Sequence, residues 1–149
     1  MKARDVMTKS VATVKPDATV RDVAQLMHQH NVGSIPVVDN NNLVGIVTDR
    51  DIVVRNVASG KDPFSTPVRD VMTAQVTTVT PEEDVQSITQ LMASRQIRRV
   101  PVVENQQLIG MVSLGDIATT GRTELAMEAS EALCEISKPS KPLNTIATK

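Results

Sequence analysis

The sequence predicts a mixed α/β (α+β) fold: two copies of a β-α-β-β-α unit packed about a pseudo-two-fold axis, then a C-terminal helix and a mobile tail. Three observations predict it: an internal duplication, alternating strand and helix patterns in each copy, and an aliphatic composition. Residues 4–55 align with 69–120 at a constant offset of 65, and 22 of the 52 paired positions are identical. A unit of about 50 residues is near the lower limit for folding alone. We therefore expect the copies to share a core.

The first copy begins with a predicted strand at Val11–Val14, and Asp17 or Thr19 can cap a helix that runs to about Asn31. The inward face of this helix is predicted to carry Val20, Val23, Ala24 and Met27. Turn residues separate the β-branched runs Ser34–Val38 and Leu43–Val47, which predicts a hairpin. Thr48 then opens a second helix that we expect to stop near Gly60.

The second copy repeats this order. Its predicted elements are a strand at Val76–Val79, a helix at Glu82–Gln96, a hairpin of Arg99–Val103 with Leu108–Val112, and a helix that begins at Ser113. We place the domain limits at 1–60 for the first repeat, with a linker to 68, at 69–120 for the second, and at 121–149 for the C-terminal part. There, Thr123–Ser137 is a predicted helix with an apolar stripe of Leu125, Ala129, Leu133 and Ile136, and a mobile tail follows.

Composition and charge argue against several classes of function. The net charge of −1 is unlike that of proteins that bind DNA, RNA or anionic membranes. Phe64 is the only aromatic residue, so the stacking platforms of single-strand binders are missing. Cys134 is the only cysteine, and His28 and His30 point to different faces of a helix, so we expect no disulfide within the chain and no metal site. Without a recognisable signal peptide or spanning segment, we expect a cytoplasmic protein.

Two strand-to-helix turns are the strongest candidates for a binding function. Thr48-x-x-Asp51 and Ser113-x-x-Asp116 occupy matching places in the two copies. One interpretation is structural, because a hydroxyl followed three residues later by an acid resembles a helix capping box. The other is a ribose-phosphate site, in which the hydroxyl and the helix N-terminus bind phosphate and the carboxylate accepts from a vicinal diol. The repetition of the pair favours the second interpretation.

The repeated Asp-Val-Met-Thr at residues 5–8 and 70–73, the Pro-Val-Val strands and Gly-Ile-Val-Thr-Asp-Arg-Asp-Ile at 45–52 resemble a tandem pair of cystathionine-β-synthase (CBS) domains. Such a Bateman module, here similar to the stand-alone bacterial or archaeal type, covers about residues 3–120. The resemblance implies that an adenosyl nucleotide binds for regulation in the clefts between the two repeats, and that modules often pair into a dimer.

The resemblance also implies roles for particular residues. Asp51 and Asp116 match the ribose-binding carboxylates, and Thr48 and Ser113 the neighbouring hydroxyls. Arg98 and Arg99 are similar to the phosphate-binding part of the nucleotide-sensing subunit of AMP-activated protein kinase. In that comparison the base lies against the first copy, near Asp17, Val32, Gly33 and Ser34. The copies differ, since Gly33 and Ser34 stand where the second copy has the two arginines, and Arg50 is the first copy's substitute.

We therefore expect a non-catalytic sensor for an adenine nucleotide of the AMP, ADP or ATP class, without a catalytic cofactor. The motifs of common catalytic sites are missing. We expect a homodimer that acts on a separate regulated protein, with no nucleic-acid or membrane partner. The alternatives are a dimerisation scaffold with empty clefts, a sensor of S-adenosylmethionine or another adenosyl ligand, a DNA-binding regulator, and a nucleotide hydrolase.

Overall fold

The computed structural model describes Met1–Pro139, and the predicted tail beyond Pro139 lies outside the described residues. The chain forms two compact units, each centred on one repeat. The first-repeat unit consists of Ser10–Thr77 and Val103–Leu108. The second-repeat unit consists, within the described residues, of Met1–Lys9, Thr78–Val102 and Ile109–Pro139. The mixed α/β fold class is confirmed, while the domain limits and the pseudo-two-fold axis stay predictions.

In chain order the helices and strands are α1 (Ala3–Val6), α2 (Val20–His30), β1 (Ser34–Asp39), β2 (Asn42–Thr48), α3 (Asp49–Asp51), α4 (Val85–Arg95), β3 (Arg99–Glu104), β4 (Gln107–Ser113), α5 (Leu114–Ala118) and α6 (Thr123–Ser137). A π-helical segment at Ile52–Val57 continues α3, and a short 3₁₀ turn covers Val68–Asp70.

The first-repeat unit is built on the predicted helix and hairpin. Thr19, rather than Asp17, caps α2: its Oγ1 accepts from the Asp22 N–H, and Asp22 Oδ2 accepts from the Thr19 N–H, both at 3.1 Å. β1 and β2 pair antiparallel about Asn40 and Asn41, whose positive φ angles of 50° and 68° suit a tight hairpin turn. The core is aliphatic, as predicted, and contains Val14, Val20, Val23, Ile35, Val37, Val47, Val68 and Val71.

The second-repeat unit has the equivalent elements and one more helix. Its core includes Val85, Ile88 and Met92 of α4, together with Val100, Val102, Val112 and Ile117. α6 packs on α4 and α5 and contributes Leu125, Ala129 and Ala132 to the core. Gln96, the C-cap of α4, ties down the far end of α6, because its Nε2 donates to the carbonyls of Glu135 at 3.0 Å and Lys138 at 2.9 Å.

Each unit takes its lead-in segment from the sequence copy that forms the other unit. Ala3, Val6 and Met7 pack in the second-repeat core, where Thr8 bridges to Met111 in β4. The duplicate segment packs in the first-repeat core through Val68, Val71 and Met72, and Thr73 bridges to Ile46. Gly110 and Gly45 allow these close approaches, because a Cβ there would lie 2.6 Å from Met7 Sδ and 2.5 Å from Met72 Sδ, respectively.

The helix that follows Thr48 changes register after its first turn. The Ala58 N–H donates to the Val53 carbonyl and the Lys61 N–H to the Asn56 carbonyl, which are i to i−5 bonds of 2.9 and 3.0 Å. The chain then turns at Gly60 with a φ of 72°, where the sequence predicts the stop. Asn56 is fully buried, and its amide group has no hydrogen-bond partner among the described residues.

Several predicted details are wrong. Val11–Val14 and Val76–Val79 form no continuous strands, because only Val14 and Val79 make single parallel bridges, to Val37 and Val102. The helix predicted from Glu82 starts at Val85. Two side chains predicted to face inward are exposed, namely Ala24 in α2 and Leu133 in α6. In α6, Ala132 occupies the core position that was predicted for Leu133.

Candidate functional site

The turn from β4 to α5 places the second copy's candidate residues. Ser113 is the N-cap of α5: its Oγ accepts from the Asp116 N–H, and Asp116 Oδ2 accepts from the Ser113 N–H, both at 3.0 Å. The Leu114 N–H donates to the Arg98 carbonyl at 2.8 Å, and the Leu114 side chain is buried. These bonds hold the backbone of Arg98 against the turn that carries Asp116.

The turn from β2 to α3 has the same local geometry. Thr48 Oγ1 accepts from the Asp51 N–H at 3.1 Å, and Asp51 Oδ2 accepts from the Thr48 N–H at 3.0 Å. The Asp49 N–H donates to the Gly33 carbonyl at 2.9 Å, which matches the bond between Leu114 and Arg98. Both turns are therefore capping boxes, as one interpretation predicted. The cap uses Oδ2 of each aspartate and not Oδ1. A capping role is therefore compatible with ligand binding through Oδ1.

The Oδ1 atoms of Asp51 and Asp116 have different neighbours. Asp51 Oδ1 lies 3.8 Å from Nε of Arg55, whose guanidinium also donates to the Met72 carbonyl at 3.1 Å. The residue that matches Arg55 in the second copy is Thr120. Within Met1–Pro139, Asp116 Oδ1 has neither a hydrogen bond nor an ion pair. The Asp116 carboxylate is therefore the better placed to accept from a ligand.

A second difference concerns the charge at the turn. In the first copy the Asp49 carboxylate accepts the Arg50 N–H through Oδ1 at 2.8 Å. Its Oδ2 would lie 3.0 Å from a Cβ built on Gly33, so the carboxylate sits directly over the position that matches Arg98. The second copy has the apolar Leu114 in place of Asp49 and Gly115 in place of Arg50. The first turn therefore presents a negative charge where the second presents none.

Arg98 and Arg99 line an open groove of about 510 Å³ in the second-repeat unit. Their neighbours in the groove wall are Ser113, Leu114, Gly115 and Ala118. Both arginines are exposed, and neither is engaged in an ion pair in the described chain. The structure thus places the two arginines and Ser113 around one groove, whereas Asp116 lies outside the groove lining.

The opposite wall of this groove was not predicted. It is one face of α6, formed by residues spaced three and four apart: Ala126, Ala129, Ser130 and Leu133. A signal for this wall was present in the sequence, because three of these four residues have small side chains. From the sequence, the apolar stripe of the helix indicates a packing surface only. Asp49 and Arg55 were also not predicted as site residues. Comparing them with their counterparts in the second copy, Leu114 and Thr120, would have identified both.

The other predicted site residues lie in the first-repeat unit. Gly33 and Ser34 follow the end of α2, with Ser34 buried and Val32 39% exposed. Arg50 and Asp17 are exposed, the latter in the turn before α2. The predicted ligand contacts of these residues, and the predicted position of a ligand between the copies, stay predictions.

Comparison with known proteins identifies the class. The family model "CBS domain" matches the chain twice, at residues 3–56 and 68–121. The CBS domain-containing protein YhcV of Bacillus subtilis is 45% identical over 134 residues, which cover 90% of this chain and 94% of that protein. The chain belongs to the CBS domain family and, within it, carries a tandem pair.

Solved structures support this assignment. Hypoxic Response Protein I, whose crystal structure holds two coordinated zinc ions, superposes with a TM-score of 0.76 at 33% identity and covers 82% of this chain and 100% of that one. A CBS domain pair in complex with 5′-methylthioadenosine and S-adenosyl-L-methionine superposes with a TM-score of 0.72 at 28% identity, covering 79% of this chain and 93% of that chain. CBS domain pairs generally bind adenosyl ligands in regulatory roles.

Metal binding and membrane insertion are two other functions on which the described residues bear. Among Met1–Pro139, no three or more His, Cys, Asp and Glu side chains are grouped so that they could hold a metal ion. No helix in the same residues is both long enough and apolar enough to cross a membrane.

Proposed function

We propose that the chain is a non-catalytic regulatory module that binds an adenine nucleotide of the AMP, ADP or ATP class at the Ser113 turn. One observation carries the proposal: two arginines without ion-pair partners in the described residues line a groove beside that turn. Planar guanidinium groups suit phosphate, which they can bind through paired hydrogen bonds. The groove volume of about 510 Å³ falls within the range of ordinary small-molecule sites.

The neighbouring carboxylate supports the nucleoside part of the ligand. A ribose offers two adjacent hydroxyl donors, and Asp116 Oδ1 is an acceptor that the capping box leaves unused. The cap fixes the carboxylate before a ligand arrives, so little side-chain entropy is lost on binding. In this proposal the arginines supply affinity for phosphate, and Asp116 supplies selectivity for the sugar.

The first-copy turn favours a different ligand. The Asp49 and Asp51 carboxylates lie two positions apart in the chain, at either end of α3, with glycine in place of the first arginine. A phosphate at this turn would meet negative charge, whereas an uncharged or cationic adenosyl ligand would not. S-adenosylmethionine, whose sulfonium carries a positive charge, is the candidate here, and a related CBS pair has been crystallised with it.

Isothermal titration calorimetry with AMP, ATP and S-adenosylmethionine tests this proposal. We expect saturable heat with AMP or ATP, and its loss in Arg98→Ala/Arg99→Ala. A wild-type chain that gives no heat at millimolar ligand would instead support a dimerisation scaffold. Phosphate release from ATP that Asp116→Ala abolishes would support a hydrolase.

The regulatory output requires a partner surface, and we propose that the module forms a homodimer in the cytoplasm and acts on a separate protein. Val53, Val54 and Val57 lie in the π-helical segment that continues α3 and are 59%, 47% and 64% exposed. Such a patch is typical of protein–protein contact. Light scattering should give about twice the chain mass of 16.1 kDa. We expect Val57→Glu to halve the measured mass, and a monomeric wild type would refute the dimer.

A further inference from the structure

We infer that helix α6, which lies outside both matches to the family model, forms part of the nucleotide site in the second-repeat unit. The inference rests on the proposed function and adds a second wall to its site. The family match ends at residue 121, whereas α6 runs from Thr123 to Ser137. The helix therefore lies outside the common CBS unit, and its contact with the groove needs an explanation.

The face of α6 that lines the groove is built of small side chains. Ala126, Ala129 and Ser130 line the groove together with Arg98 and Arg99, and Leu133 is the one large side chain that α6 adds to it. Ala129 is buried, whereas Ala126 and Ser130 are exposed to the groove. A larger side chain at either exposed position would occupy the space in front of the arginines. The small residues at three of the four lining positions of α6 leave room for the groove.

α6 is also fastened to the loop that presents the arginines. Gln96, which holds the carbonyls of Glu135 and Lys138, lies two residues before Arg98. At the other end, Gln86 Nε2 donates to Glu128 Oε1 at 2.7 Å. The C-terminal end of α6 and the backbone of Arg98 are thus held by the same short stretch of chain, residues 96–98. A ligand that pulls on the arginines would also tighten the seating of α6.

Charge complementarity identifies the occupant. The groove lining in the described chain contains two guanidinium groups and the hydroxyls of Ser113 and Ser130, and it includes no carboxylate, because Asp116 lies outside it. The remaining lining is apolar or small, which suits a ligand that has an anionic end and a less polar body. The phosphate of the proposed nucleotide meets the first condition and its adenosine part meets the second. The first copy has no counterpart of this wall, because a linker follows its closing helix. The site is therefore specific to the second copy.

Filling the groove from the α6 side tests the inference. Ser130→Leu and Ala126→Leu enlarge two exposed positions that face the arginines, and Cys134→Leu enlarges an exposed position that does not line this groove. We expect the Kd for AMP, measured by calorimetry, to rise at least tenfold in the first two variants and less than twofold in the third. Circular dichroism melts establish that each variant folds.

The outcomes separate the two proposals. If the wild type binds AMP and the groove variants match Cys134→Leu, α6 is not part of the site and the proposed function stands. If the wild type binds no adenine nucleotide, the proposed function itself fails. Hydrogen exchange of the unmutated chain gives an independent measurement: AMP should slow the α6 amides together with those of α5. Slowing confined to α5 would overturn the inference.

Discussion

Replacing Arg99 by alanine should weaken AMP binding much more than adenosine binding. The structure sets the size of the effect. Arg99 is exposed at an open groove, so its bond to phosphate stays partly hydrated and belongs at the low end of the range for charged hydrogen bonds, about 1.5 kcal/mol. That free energy corresponds to a roughly tenfold rise in the Kd for AMP. Adenosine carries no phosphate, so its Kd should change less than twofold.

Calorimetry at fixed ionic strength measures both ligands on the same preparations. Arg95→Ala is the matched control, because Arg95 is also exposed, lies at the end of α4 and does not line the groove. Arg98→Ala/Arg99→Ala should weaken AMP by roughly 100-fold if the two side chains act independently. Equal losses for AMP and adenosine in Arg99→Ala, or a loss as large in Arg95→Ala, would remove Arg99 from the phosphate site.

Three further predictions concern the asymmetry of the copies and the stability of the fold. Asp49→Leu introduces the second-copy residue at the first turn and should lower the Kd for phosphate-bearing nucleotides there. The control Asp22→Leu in α2 should leave that Kd unchanged. An unchanged binding isotherm in Asp49→Leu would show that Asp49 has no influence. Gly110→Ala should cost about 1–3 kcal/mol of unfolding free energy because its Cβ would lie 2.6 Å from Met7 Sδ and 3.0 Å from the Thr8 carbonyl. In urea titrations Gly115→Ala, whose Cβ would lie no nearer than 3.7 Å to the surrounding atoms, should cost nothing, and equal midpoints for the two variants would contradict the close packing at Gly110. Asn56→Leu should raise the unfolding free energy by about 1 kcal/mol, because it removes a buried amide without a partner in the described chain, and a lower midpoint would mean that the amide is satisfied.

Local patterns in the sequence predicted the elements that local chemistry controls. The hairpins follow from β-branched runs around Asn40 and Asn41, and the helix starts at Ser113 and Thr48 follow from the spacing of hydroxyl and acid. The same spacing located the aspartates of the candidate site. The duplication, read together with the motifs, then predicted the family, which the comparisons confirm.

What could not be predicted depends on contacts between distant residues. Val11–Val14 has strand composition, yet only Val14 makes a bridge, to the distant Val37. The groove wall on α6 required knowing how that helix rotates against α5, and the apolar stripe gave Leu133 where the core takes Ala132. The position of the Asp49 carboxylate could not be predicted, because it depends on the hydrogen bond from the Arg50 N–H.

The reciprocal lead-in segments make each compact unit depend on both sides of the linker. A cut near Asp62 would leave an N-terminal fragment that contains the first hairpin. The same fragment carries Ala3–Met7, which packs in the core of the second-repeat unit. The second fragment would carry Val68–Met72, needed by the first core. Neither piece holds a complete set of core residues, so each should remain largely unfolded by itself. Mixed together, the two pieces should reassemble by trading these short arms, which makes the chain a natural candidate for a split reporter.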